Sequence, residues 1–308
     1  MYKKTIFFKA LIFSVCLFIS SCYSIPRYNP EKSMDKYDEF KNLEIPLYFD
    51  AGIYPFIYVN IQGNKIPLHI DIGDETGSFS LKEKSLESIR TNSIAERNAF
   101  VDFNGSIKSN EYFKVNEIDI EGVKFKNLVC KKDNANLPNY LMNIGDIGFN
   151  FLREFNFKLD YKNKLLTLYK KGFTPDNIGT SWQKIVLNKK PLLTFSGFIQ
   201  GYDKKLQIGI DTGMIMIGKD IVKNLVRIPL ESDFILKQKT DFLYKDPKLK
   251  VIKKLSITTE NSLINNLDFL MYEIKQPDDR DIFLGVDFFF KYNTFFDNKN
   301  NLLYISKY

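Results

Sequence analysis

One histidine, three cysteines and one tryptophan are all that 308 residues contain of those types. A single imidazole leaves no room for a His-Glu-x-x-His zinc site, and it makes any Ser-His-Asp or Cys-His scheme depend on His69 alone. His69 lies in the apolar run Ile66-Pro67-Leu68-His69-Ile70 with no partner motif beside it, and it reads as an ordinary strand side chain. Cys16 and Cys22 fall in the N-terminal segment and Cys130 stands alone, so no intrachain disulfide is expected. Cys130 ends the alternating stretch Val123 to Cys130 and reads as a buried structural thiol. Charge excess is also small. The formal net charge of +7 includes Lys3, Lys4 and Lys9, and without them the balance is 41 − 37 = +4. No Arg/Lys stripe interleaved with aromatics occurs, so nucleic acid is not an expected partner.

The N-terminus reads as an address. Met1-Tyr2-Lys3-Lys4 is a charged start, Thr5 to Ser20 is apolar apart from Lys9, and Ile19-Ser20-Ser21 places small residues before Cys22. This arrangement resembles the lipobox of bacterial lipoproteins. The resemblance implies a signal peptide over residues 1–21, a lipidated Cys22, export, and attachment to a membrane of the cell envelope through the lipid. A plain signal peptide and an uncleaved anchor helix are the alternatives. Residues 22–42 are polar, with two prolines and no hydrophobic period, and read as a flexible tether; about twenty residues of coil span roughly 25 Å.

What the chain has in quantity is aromatic residues, 28 Phe and 17 Tyr, set in short Ile/Val/Phe/Tyr runs broken by Asn-Gly and Asn-Lys turns. That composition favours strands, and a mostly β protein is expected. The chain also repeats itself. Gly148 to Leu168 and Gly285 to Ile305 share Gly148/Gly285, Phe151/Phe288, Asn156/Asn293, Asp160/Asp297, Lys162/Lys299, Asn163/Asn300, Leu165/Leu302 and Leu166/Leu303, at an offset of 297 − 160 = 137. Upstream, Ile70-Asp71-Ile72-Gly73 and Ile210-Asp211-Thr212-Gly213 match at 211 − 71 = 140. The reading is two copies of one unit, with function where they meet: a first lobe over residues 43–170, a connector over 171–181, and a second lobe over 182–308.

Within the first lobe, Phe56 to Ile61 and Ile66 to Ile70 form an expected hairpin around Gln62-Gly63-Asn64-Lys65, Leu81 to Ile89 an expected short helix, and Asn104-Gly105 the turn of a second hairpin. In the second lobe the order is Pro191 to Ile199, a turn at Gly201-Tyr202-Asp203, Leu206 to Ile210, and a helix-like Lys219 to Leu225. The counterpart of the second hairpin falls near Asp241 to Pro247, without glycine.

With imidazole chemistry set aside, the paired aspartates Asp71 and Asp211 are the groups left to carry chemistry. Two carboxylates brought together cannot both ionise cheaply, so they share a proton; one form activates water while the other protonates a carbonyl oxygen. The glycines Gly73 and Gly213 permit a tight turn that offers N–H groups to the carboxylates. On these residues the chain resembles the pepsin and retropepsin family of aspartic proteases, in a bacterial two-lobe form. Asp-x-Gly is matched at Asp71 and Asp211, and the downstream apolar-Gly element at Asp146-Ile147-Gly148 and Phe283-Leu284-Gly285. The resemblance implies an all-β, two-lobe pepsin-like fold and a monomer. It also implies Asp71 and Asp211 as the catalytic pair, Ile72, Gly73, Asp74, Thr212 and Gly213 as supporting loops, and no cofactor or metal. Asn104-Gly105 would be the tip of a flap over a polypeptide substrate.

The first loop departs from the family pattern. Family loops carry Asp-Thr/Ser-Gly, whose two hydroxyls bond across to the opposing loop; here Ile72 replaces one hydroxyl, and Asp74 and Met214 stand where the family has small residues. These departures imply an unmet Thr212 hydroxyl and a perturbed dyad. They keep open a second reading, a binding protein on the same fold that holds a peptide or protein partner between its lobes. Asp74-Glu75-Thr76-Gly77 is an alternative register for the first motif, but the apolar strand ends at Ile70, which favours Asp71. A carboxylate metal site at Asp71, Asp74 and Glu75 matches no calcium-loop spacing and is set aside.

Overall fold

The structure is a computed structural model that describes residues 34, 36–50, 52–74, 78–87, 89, 92–101, 107–133, 145–188, 193–200, 204–212, 217–218, 250–271 and 281–308. Residues 1–33 with Cys22, the turn at Asn104-Gly105, Glu75 to Gly77, the turn 201–203, Gly213, Met214, the helix-like segment 219–225 and the stretch 241–247 lie outside them. Among the described residues no helix is long and apolar enough to cross a membrane.

The protein is mostly β, as its aromatic and β-branched runs require. Tyr54–Ile61 and Asn64–Asp71 pair antiparallel around Gln62 and Gly63, both left-handed at φ 53° and 85°, the twist that two-residue hairpins favour. Asn64–Asp71 then pairs in parallel with Gly145–Gly148, which pairs antiparallel with Phe79–Lys82. Phe79–Lys82 lies parallel to Val123–Asp133. Ile107–Ile120 pairs with Val123–Asp133 on one side and with Tyr54–Ile61 on the other, so the six strands close on themselves. The second half closes a barrel in the same order: Thr194–Ile199, Leu206–Ile210, Ile282–Leu284, Ile217–Gly218, Leu263–Met271 and Lys250–Thr258.

A third sheet joins the halves. Its order is Gln183–Val186, Leu302–Lys307, Tyr292–Asp297, Phe155–Asp160, Leu165–Lys170 and Asn42–Pro46, three strands from each half. At its centre Lys158 faces Phe295. These two residues are equivalents at the repeat offset of 137, so a pseudo-twofold axis passes through that pair. Phe157 and Phe296 stack beside the axis at 4.4 Å with rings 13° apart, and both are fully buried.

The identities of the repeat have a local cause here. Asp160 Oδ1 accepts the Asn163 N–H at 3.0 Å, and Asp297 Oδ1 accepts the Asn300 N–H at 3.2 Å. Each turn ends on a left-handed residue, Lys164 at φ 53° and Asn301 at φ 55°. Both turns therefore use the same Asp-Asn closure.

Two expectations need correction. Leu81 to Ile89 is not one helix: Phe79–Lys82 is a strand, buried throughout because it lies between two others, and only Glu83–Glu87 is helical. The tether does not extend to residue 42. Lys36–Tyr37 pairs with Lys126 and Phe125, and Tyr37 and Phe40 set their rings 5.1 and 5.8 Å from Phe155. Two aromatics in a polar stretch supply enough apolar surface to dock it.

Candidate functional site

Asp71 is the last residue of Asn64–Asp71, opposite Gly148, and Asp211 follows Leu206–Ile210, its N–H donating to Leu284 O at 2.9 Å. In each half a parallel neighbour carrying the apolar-Gly element thus fixes the end of the strand that bears the aspartate. The two turns come face to face. A β-carbon built on Gly73 would sit 2.2 Å from Asp211 Oδ2 and 2.4 Å from its Cγ, so the Asp211 carboxyl packs directly on the Gly73 backbone. Gly73 N–H donates to Asp71 Oδ1 at 2.9 Å. Gly73 has no positive φ to explain it. It is glycine because the second carboxyl occupies the place of its side chain, a different reason from the tight turn expected.

The Asp71 carboxyl holds its proton well above the usual carboxylate range. Burial is the largest cause, followed by the charges of Asp211, Asp146 and Asp74 and a side-chain hydrogen bond with Asp211. A pair of acids linked in this way titrates as one unit and keeps a proton between them at pH values where an isolated carboxylate has none.

The Thr212 hydroxyl is not orphaned. It accepts the Ile72 N–H at 3.0 Å and donates to Ile70 O at 2.5 Å, and it is fully buried. The expectation of an unmet hydroxyl is overturned because its partners are backbone groups of the opposing loop, which any residue at position 72 supplies. Ile72 offers no hydroxyl in return; its side chain is fully buried in the apolar core.

Asp74 raises the proton affinity of Asp71 through its charge. Its carboxylate takes Lys131 Nζ at 2.7 Å, and its carbonyl accepts the Phe149 N–H at 2.7 Å, tying the loop to the apolar-Gly element. Strand register explains the extra residues. Ser80 and Ile217 face Asp146 and Phe283, which stand two before Gly148 and Gly285, so the first loop takes 80 − 71 = 9 steps and the second 217 − 211 = 6. The first loop is thus three residues longer, and Asp74 closes its first turn, its N–H donating to Asp71 O at 3.3 Å. Glu75 lies outside the described residues.

His69 is not an ordinary strand side chain. It is 8% exposed, with Nε2 at 3.1 Å from Asp50 Oδ2 and Nδ1 at 3.7 Å from Asp146 Oδ1. Ser80 Oγ donates to Asp146 Oδ2 at 2.8 Å. Ser80 is thus engaged with a carboxylate and not with the imidazole, so no nucleophile-base pair forms there. The sequence held a signal for this cluster that the strand reading missed. His69 and Asp146 occupy the places of Gly209 and Phe283 in the second copy, and polar residues at one copy's apolar positions mark a local specialisation.

Cys130 is fully buried, and burial pushes its thiol far up, which suits a core residue rather than a nucleophile. No protein-family model matches the chain, and no curated protein matches it either.

Proposed function

We propose that the protein is an aspartic endopeptidase of the two-lobe pepsin-like kind, in which Asp71 and Asp211 hold one proton and one water between them. The observation that carries this reading is the packing of the Asp211 carboxyl on Gly73 beside Asp71, with the Asp71 proton held well above the ordinary range. One carboxyl is neutral and the other ionised. The ionised one takes a proton from water as the water oxygen bonds to the scissile carbonyl carbon, and the neutral one gives its proton to the carbonyl oxygen, producing a gem-diol. The newly protonated carboxyl then protonates the amide nitrogen and the other recovers a proton from a gem-diol hydroxyl. The C–N bond breaks, and a carboxylic acid, an amine and the starting dyad result. Peptide substrate would lie under the hairpin formed by Asn92–Val101 and Ile107–Ile120.

Topology belongs to the same proposal. The charged start, apolar stretch and Cys22 support export and lipid attachment in the cell envelope, with the tether ending where the chain docks, from Met34 onward. The N-terminal mass decides this part: a diacylglyceryl-modified Cys22 is expected, and an unmodified start elsewhere or a retained Met1 contradicts it.

Hydrolysis of an unfolded polypeptide at mildly acidic pH, abolished by Asp211→Asn, tests the activity. The absence of the second loop hydroxyl at Ile72 favours the alternative, a peptide- or protein-binding module without turnover. Binding of unfolded polypeptide without cleavage at any pH establishes that alternative.

A further inference from the structure

The two halves share one topology, yet the surroundings of their aspartates differ in one respect. Strand register pairs off four positions: His69 with Gly209, Ser80 with Ile217, Lys131 with Leu270, and Asp146 with Phe283. Every residue that is polar or charged in the first half is apolar or glycine in the second. By strand register, then, Asp71 has polar or charged residues at four positions where Asp211 has apolar ones or glycine, and the titratable group that acts on Asp211 from the joining sheet is the buried phenol of Tyr161.

The charges around Asp71 come from every strand packed beside it. His69 is two residues away on its own strand and Asp50 faces that imidazole; Asp146 lies on the neighbouring parallel strand. Asp74 is in the same loop, neutralised by Lys131. Lys82 and Asp133 form a further pair at 2.6 Å. Asp211 faces Asp71 from the second half. Beyond those pairs, two carboxyl groups, Asp50 and Asp146, share one imidazole, so acidic groups outnumber basic ones beside this strand end. The nearer catalytic group is Asp71, joined to them by a strand and a strand pairing.

We propose that Asp146, fixed by Ser80 and His69, is a positioning residue that settles the shared proton on Asp71 and leaves Asp211 as the ionised base. This rests on the dyad of the proposed function and adds to it a division of labour. Asp71 gives its proton to the carbonyl oxygen, and Asp211 takes the proton from water. Burial, then the charge of Asp211 itself, then that of Asp146 raise the proton affinity of Asp71, so Asp146 is the largest charge contribution from outside the pair. An excess anion beside one of two coupled acids makes the protonated form of that acid the lower in energy.

Asparagine imitates a neutral carboxyl, so the test needs no turnover. In thermal unfolding of the full chain at pH 5–6, Asp71→Asn reproduces the favoured state, whereas Asp211→Asn forces the charge or the proton onto the wrong partner. Asp71→Asn is expected to melt higher than Asp211→Asn by about 2–4 °C, the shift of roughly 1 kcal/mol in a chain of this size. In an Asp146→Asn background, which keeps a hydrogen-bond acceptor for Ser80, that difference should shrink to near zero. Reading the difference within one background cancels any general destabilisation by Asp146→Asn. An equal or inverted order in the native background overturns the proposal, as does a difference that survives Asp146→Asn. If the order holds and no hydrolysis is found, the proton assignment stands and the endopeptidase reading fails. If hydrolysis is found and the order is inverted, the reverse follows.

Discussion

Asn156 donates from Nδ2 to Asp297 Oδ1 at 3.1 Å, and its repeat equivalent Asn293 donates from Nδ2 to Asp160 Oδ2 at 3.3 Å. Each half thus offers an amide to the other half's turn aspartate, and the two bonds are related by the pseudo-twofold axis. Asn156 Nδ2 also donates to Phe173 O at 3.0 Å. All four clasp residues are identities of the repeat, which the clasp accounts for.

Breaking this clasp should loosen the joint between the halves. Asn156→Ala leaves the buried Asp297 with one donor fewer, and an unmet buried acceptor costs about 1–3 kcal/mol. Urea unfolding should show a lower midpoint for Asn156→Ala and a further loss in Asn156→Ala/Asn293→Ala. Unchanged midpoints in both variants would rule out the clasp as a stabilising element.

Gly73→Ala should destroy the dyad while sparing the fold of each half. Its methyl would overlap the Asp211 carboxyl at 2.2 Å, and that carboxyl has to move away from Asp71. Any peptidase activity should fall at least about 100-fold, the usual cost of a displaced catalytic group. Activity within a few-fold of the native chain would show that the carboxyls do not act as a pair.

Thr212→Val should cost more stability than the sequence pattern implies for a loop residue. It removes one hydroxyl that satisfies both the Ile72 N–H and Ile70 O, so two buried backbone groups lose partners, at about 1–3 kcal/mol each. Ile72→Thr acts by a different route, replacing a fully buried apolar side chain, and should not be needed to pair Thr212. Denaturant midpoints should place Thr212→Val below Ile72→Thr; the opposite order contradicts the bonding described.

Acid sensitivity should have a component at Asp160. Burial alone would raise its proton affinity, but hydrogen bonds from the Asn163 side chain and backbone and from Lys158 prevail and hold it below the ordinary range. A carboxyl depressed in the folded state stabilises the protein above its unfolded value, about 3.9, and the contribution is lost as pH falls through the lower folded value. Asp160→Asn should therefore destabilise at neutral pH and flatten the fall of melting temperature below pH 4. A parallel, undiminished acid limb in the variant would exclude Asp160 as its source.

The fold class was readable because alternating apolar runs and Asn-Gly-type turns act locally. The Gln62-Gly63 hairpin and the Asp160 and Asp297 turns follow from their own few residues. Duplication carried further, since matching Asp71 with Asp211 and Gly148 with Gly285 indicated which strand ends meet. What escaped the sequence was set mostly by contacts across the chain. The strand Phe79–Lys82 alternates apolar and polar residues, but its last two residues, Leu81 and Lys82, run straight into the helical Glu83–Glu87, so the boundary between strand and helix was missed. The Asp50, His69 and Asp146 contacts join residues from three separate strands, and no spacing rule brings them together. Thr212's partners were invisible for a simpler reason, being backbone groups with no residue type to notice.

The central pair of the joining sheet makes the two halves unlike partners. A symmetric assembly of two first halves would set Lys158 against a second Lys158, and like charges directly opposite across a strand pair repel. In the fused chain Lys158 meets Phe295 instead and turns its ammonium to Asp160 at 3.0 Å. A first half would therefore pair with a second copy of itself less well than with the second half, by about 0.2–1 kcal/mol at this position, and residues 43–170 expressed alone should dimerise weakly. The axial position, where symmetry would force a residue to meet its own copy, is thus the place where a fused chain gains most from letting its two halves diverge.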